Sequence, residues 1–234
     1  MPRRAPSLVL VAIAAASVSA KSPKYYKLGT CPAWPNAGYH LEGSLVLSST
    51  ATIAGQPPVT VVGRGTVVFD TMGDASAPHK SLSYTKRLES IPQVGNSTSE
   101  LWQLCPQYAE FEQISGWMGP AICVKLPQPC LHRYDPISLA LAACGDWTSK
   151  DVGEGKHFSG TSCRFGIPLP GIKQTGTFDL MLDAKGEIAM YTTNATTKTG
   201  PTTSSTSETV TATATSTKPN PENFKNHCTP KSAK

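Results

Sequence analysis

Apolar and polar positions alternate with a period of two through much of this chain. Gly43–Ser49, GSLVLSS, and Val59–Asp70, VTVVGRGTVVFD, are rich in β-branched residues and read as strands. The Gly63-Arg64-Gly65 break inside the second predicts a turn or bulge. Ser81–Ser90, SLSYTKRLES, alternates less cleanly. Glu100–Ile114, ELWQLCPQYAEFEQI, divides into two strand-like halves at Pro106, and Ala121–Leu126, AICVKL, is a short run suited to a buried strand. The clearest pair is GTFDLMLDAKGEIAMYT. There Phe178, Leu180 and Leu182 share one face, and Ile188 and Met190 are expected to meet the same core. Asp183-Ala184-Lys185-Gly186 connects the two strands, with Gly186 suited to a positive φ.

One helix is marked, in DPISLALAACG. Asp135 caps it, Pro136 occupies the first turn where its missing N–H is no loss, and Gly145 closes it. Cys144 falls in the last turn, so a disulfide is expected to pin the helix to the sheet. The predicted fold class is mainly β (α+β): a curled antiparallel sheet, half-barrel or sandwich, with one short covering helix and disulfide stabilisation.

The pattern ceases near Thr192. From there to Lys218, 17 of 27 residues are Ser or Thr, and Val210 is the one apolar side chain larger than alanine. Such a run buries too little to offset an ordering entropy of roughly 1–2 kcal/mol per residue. With Pro201, Pro219 and Pro221 it has the composition of an O-glycosylated stalk. Asn194-Ala-Thr and Asn96-Ser-Thr are N-glycosylation sequons.

The first residues predict export. Arg3 and Arg4 precede the apolar run Leu8–Ala16, and Val18 and Ala20 are the small residues a signal peptidase reads. No other stretch is long and apolar enough for a membrane span, and TPKSAK at the end is no lipid-anchor signal. The expected organisation is a signal peptide over 1–20 and a disulfide-bonded β-rich domain over 21–191. A Ser/Thr/Pro-rich disordered stalk follows over 192–227, then a tail over 228–234.

Seven cysteines in a secreted chain read first as disulfides. Cys31, Cys105, Cys123, Cys130, Cys144 and Cys163 lie in the body, and Cys228 lies beyond the stalk. Cys228 can fold back to a body cysteine, stay free, or join another chain. The favoured expectation is the last, a disulfide-linked homodimer. The formal charge of +5 misleads, because between Leu28 and Met190 there are 11 Lys/Arg against 14 Asp/Glu. A mildly acidic body lacks the basic surface that nucleic-acid binding needs, so no nucleic-acid partner is expected.

Candidate chemistry is sparse. Ser162 in GTSCRFG stands beside a cysteine without the G-x-S-x-G elbow, and His40, His79, His132, His157 and His227 are scattered. Cys130 and His132, with Cys123 seven residues before Cys130, lack the paired spacing of a zinc site, and the acidic pairs lack a calcium-loop pattern. Glu110 and Glu112 flank Phe111 on one strand, which suits a solvated face better than a glycosidase cleft. No catalytic residue, metal or cofactor is therefore predicted. Aromatics are the remaining handle. Trp102, Tyr108, Phe111 and Trp117 crowd one stretch and suit the core first, then the wall of an apolar cavity, then an exposed surface that stacks on sugar rings; with Phe178 and Leu180, Trp102, Tyr108 and Phe111 are the ligand-binding candidates.

The order of elements resembles one family. CPAWPNAGYHLEGSLVL leads into the strands GTVVFD and SLSYTKRLES, the segment CVKLPQPC follows, and a strand pair closes the domain. Over Cys31 to Tyr191 this is similar to the ependymin-related and LolA-like secreted β-proteins. That resemblance implies a half-open barrel holding a hydrophobic ligand. The expected function is a secreted, non-enzymatic glycoprotein that binds a lipid or other apolar small molecule. A structural or surface-interaction glycoprotein of a cell wall or matrix is the alternative, and a secreted hydrolase comes third.

Overall fold

The computed structural model describes residues 38–73, 81–92, 94–104, 109–116, 119–125, 135, 140, 143–165 and 172–225, with backbone alone at 109–112 and 119–121. The expected signal peptide, Cys31, Cys105, Tyr108, Trp117, Cys130, His132 and Cys228 lie outside these residues, as does the Phe111 side chain.

Among the described residues eleven antiparallel strands form one sheet. They are β1 His40–Ile53, β2 Val59–Met72, β3 Leu82–Ile91, β4 Gly95–Leu104, β5 Ala109–Gly116, β6 Gly119–Lys125, β7 Asp146–Val152, β8 Gly155–Cys163, β9 Ile172–Leu182, β10 Ile188–Thr199 and β11 Thr202–Ser216. Their order is β6-β5-β4-β3-β2-β1-β11-β10-β9-β8-β7. Every neighbour but one is a sequence neighbour. The exception, β1 against β11, joins the first strand to the last and leaves β6 and β7 as the two edges of an open sheet.

This overturns the disordered stalk. Residues 192–216 form most of β10 and all of β11, at the middle of the sheet, so the domain runs past Tyr191. The physical reason is that threonine is β-branched and fits a pleated surface, while both edges of β11 pair with neighbouring backbone. Hydroxyls bond across strands, Thr192 Oγ1 to Thr209 Oγ1 at 3.1 Å and Thr196 Oγ1 to Ser205 Oγ at 3.1 Å. Val210, wholly buried, is the inward anchor.

Gly63-Arg64-Gly65 neither turns nor bulges, because β2 runs straight through it. A Cβ on Gly65 would stand 1.8 Å from the Leu88 carbonyl oxygen, so the glycine answers a close approach of β3. The β9–β10 hairpin forms as expected. Asp183 Oδ1 accepts from the Lys185 and Glu187 N–H groups at 2.9 Å each, and Gly186 takes φ 79°. A register shift between Ile188 and Met190 then turns Tyr191, rather than Met190, into the core. Most of the expected helix lies outside the described residues, apart from a Cys144 N–H bond to the Ala140 carbonyl at 2.9 Å. The helical element with bounds among the described residues is instead a 3-10 turn, Pro221–Phe224.

Residues opposite one another on antiparallel strands share a face. One face carries Leu41, Leu45, Phe69, Phe178, Leu180 and Tyr191, with Ala140 and Cys144 packed onto them. Each such fully buried side chain contributes about 1.5–3 kcal/mol. The other face carries Tyr84, Trp102 and Leu104, against which Val68, Leu82, Cys123 and Phe224 pack. Arg87 of β3 and Glu208 of β11 establish which face is inside. On a flat sheet their Cα atoms would be about 19 Å apart, beyond the combined reach of the two side chains. They meet at 2.8 Å, so the sheet curls with the first face inward.

Candidate functional site

The inner face changes character from one half of the sheet to the other. Over β1, β2 and β8–β11 it is closed core. Over β3 it is polar, because Ser83, Thr85, Arg87 and Glu89 all share the inward parity. Arg87 is held between Glu208 at 2.8 Å and Glu89 at 3.0 Å, and the Tyr191 hydroxyl donates to Glu208 at 3.2 Å. Burial alone would lower the Arg87 guanidinium pKa, but the two carboxylates outweigh it and hold the pKa above its ordinary value. Burial, and next the Glu208 charge, pushes the Tyr191 phenol well up, so it stays a hydrogen-bond donor. Nearby, the Tyr39 hydroxyl donates to the buried Asp135 at 2.9 Å.

Beyond this strip, on β4–β6, the inner parity mixes apolar and polar positions. Leu101, Ile114, Ile122 and Val124 lie there by register, together with Ser99, Gln103 and Glu112. Ile122 is 53% exposed and Val124 45%, so this part of the curl is not filled. Among the described residues the two edge strands of the sheet are not paired with each other. The arrangement suits an amphipathic guest, with exposed apolar surface at the lip formed by Ile122 and Val124 and charged hydrogen-bonding groups three strands, about 14 Å, away. A cleft of ≈ 30 Å³ between Tyr39, His40, Ile188 and Thr215 has room for a water but not for such a guest.

The candidate residues named from sequence divide differently. Trp102 is 2% exposed, Phe178 1% and Leu180 0%. These three are core, Trp102 on the outer face and the other two on the inner, so none lines an open cavity. Cys144 and Cys163 are joined, as the expected pinning requires. Ser162, at φ 56° within a register irregularity of β8, is the residue preceding that inward-turned cysteine. Cys123 is also disulfide-bonded. Asn96 is exposed at the start of β4, whereas Asn194 is half-buried and donates its amide to Thr177 at 3.2 Å.

Two histidine–carboxylate pairs occur. His40 Nδ1 lies 2.9 Å from Asp70 Oδ1, and His157 Nε2 lies 3.0 Å from Asp179 Oδ1. Asp70 is wholly buried and also accepts from the Asn220 N–H and the Asn223 side chain, each at 2.6 Å. That carboxylate therefore clamps the C-terminal segment onto the outer face, where Phe224 covers Trp102 and Tyr84. The Tyr84 hydroxyl donates to Glu100 at 2.8 Å, and burial foremost, with Glu100 second, raises its pKa. Among the described residues no three His, Cys, Asp or Glu side chains gather as metal ligands.

Arg87, Glu89 and Glu208 were not among the candidates from sequence. Their signal was parity, since Arg87 and Glu89 occupy the positions of SLSYTKRLES in step with the inward Ser83. Glu208 lies in the run read as a stalk and had no such frame.

No protein-family model matches the chain, and no curated protein matches it. One similar solved structure is DynF from the dynemicin biosynthesis pathway of Micromonospora chersina. It is 12% identical over 86% of this chain and 96% of DynF, with a TM-score of 0.26, a superposition too loose to carry any of the argument.

Proposed function

We propose that this is a secreted, non-enzymatic glycoprotein that holds an apolar or amphipathic small molecule, a lipid among them, against the inner face of its curled sheet. The observation that carries this reading is the exposed lip of Ile122 and Val124 on the same inner face as the Arg87–Glu208 pair, three strands along the sheet. Small-molecule sites combine apolar walls with a few placed polar groups, and this half of the inner face has both. The resemblance to ependymin-related and LolA-like proteins points the same way. Secretion agrees with the Cys144–Cys163 disulfide. Asn96, exposed at the start of β4, is the more accessible of the two sequons for a glycan.

The structural or surface-interaction reading draws on a different feature. The outer face over β1 and β9–β11 is an array of Ser, Thr and Asn side chains bonded across strands, including Thr50 Oγ1 to Thr60 Oγ1 at 2.8 Å. Titration with a fluorescent apolar probe separates the two. Saturable binding weakened at least tenfold by Ile122→Asp, with the melting temperature little changed, supports the inner-face site. Equal binding by wild type and Ile122→Asp counts against it.

A further inference from the structure

At the end of the sheet where β1 turns into β2, two connections lie side by side. The Ala54 N–H of the β1–β2 turn donates to the Pro201 carbonyl of the β10–β11 turn at 3.2 Å. Strand β2 outruns its neighbour here. It pairs with β3 only from Arg64 onward, so over Val59–Gly63 it has β1 alone beside it among the described residues. The overhang is aliphatic on both faces. Val59 is 64% exposed, Ile53 and Val62 43% each, and Val61 36%.

The same end carries a distinct charge pattern. Over residues 47–63, 172–178 and 192–207, which reach this end on β1, β2, β9, β10 and β11, the charged side chains are Lys173 and Lys198 alone. Both are exposed, and β9 and β10 set them directly opposite one another. Like charges in that position repel and weaken the strand pair. Among the described residues neither lysine has a carboxylate partner. Thr203 of β11 and Thr52 of β1 continue the row of Lys198, so the lysines lie level with the start of the β1–β2 turn.

We propose that this end of the sheet docks on a lipid bilayer surface that carries anionic headgroups. An uncharged tip of Ile53, Val59, Val61 and Val62 gains by leaving water for the headgroup boundary, and basic side chains beside it are drawn to the negative surface. The open side of Val59–Gly63 limits the depth, because its unpaired backbone groups need water or headgroup oxygens. A second copy is a poorer occupant. Two such ends face to face would bring two lysine pairs together and add to the repulsion. The docking surface is separate from the inner face and does not rest on a guest being held there.

Flotation of the full secreted chain with vesicles tests this. Phosphatidylcholine containing about 30% phosphatidylserine is compared with phosphatidylcholine alone. Binding to the anionic vesicles is expected, weakening as salt is added, with binding to the neutral ones about tenfold weaker or less. Val59→Asp/Val61→Asp and Lys173→Gln/Lys198→Gln should each weaken binding to the anionic vesicles about tenfold or more. The lysine variant relieves a repulsion, so it keeps its melting transition and decides the matter even if the aspartate variant unfolds. Absence of wild-type binding, equal binding to both vesicle types, or undiminished binding by the lysine variant overturns the proposal. A dimer in light scattering that Val59→Asp/Val61→Asp abolishes, with no vesicle binding, overturns it in favour of self-association.

Discussion

Single residues set the electrostatics of the interior. Tyr84 and Tyr191 are both buried against carboxylates, and both phenol pKa values are raised above the ordinary value near 10. A group that holds its proton more tightly when folded contributes stability that is fully present below its unfolded pKa. That contribution is lost as the pH rises past it, because the unfolded state then binds fewer protons. The expected outcome is a melting temperature that falls above about pH 10. In a 295 nm titration two tyrosines should ionise only as the chain unfolds. If all tyrosines titrate reversibly near pH 10 with the fold intact, the buried assignments fail. Tyrosine burial was not legible beforehand, since nothing in AMYT says which of Met190 and Tyr191 turns inward. The register shift after Ile188 decides it.

At the scale of elements, legibility followed the presence of an apolar frame. Phe178, Leu180 and Ile188 mark β9 and β10 because each places a large side chain in the core at the period of a strand. Strand β11 has Val210 alone, and a reading that counts apolar residues has no means of seeing it. What holds β11 is external to its sequence: two paired edges, and the packing of β1 and β10 beside it. The hairpin β7–β8 also went unread, as β7 is short and exposed on most positions. A direct consequence separates strand from stalk. A chain ending at Thr199 lacks β11, which exposes Leu45 and leaves β1 and β10 each without a partner on the edge that β11 paired. It should fail to give a cooperative unfolding transition by circular dichroism, whereas removal of a disordered stalk would leave the transition in place.

For the whole molecule, the decisive property is that the sheet curls without closing. Eleven strands bring β3 and β11 together through Arg87 and Glu208, yet β6 and β7 remain edges. The closed half carries the core, and the open half leaves Ile122 and Val124 exposed, three strands from the charged strip of β3. A mostly antiparallel sheet was legible from the strand-like runs, but half-barrel and sandwich stood as alternatives, and only the strand order shows an open curl. The site was not legible, because Trp102, Phe178 and Leu180 are the most conspicuous apolar residues of the chain and are all consumed by packing. Residues that pack best are the least available to a guest, so the modest Ile122 and Val124 remain. The most direct test is native mass spectrometry of the protein secreted from eukaryotic cells. The account predicts a non-covalent mass increment that leaves on denaturation and is absent from an Ile122→Asp/Val124→Asp variant. A bare polypeptide carrying only covalent glycan, identical in wild type and variant, would contradict it.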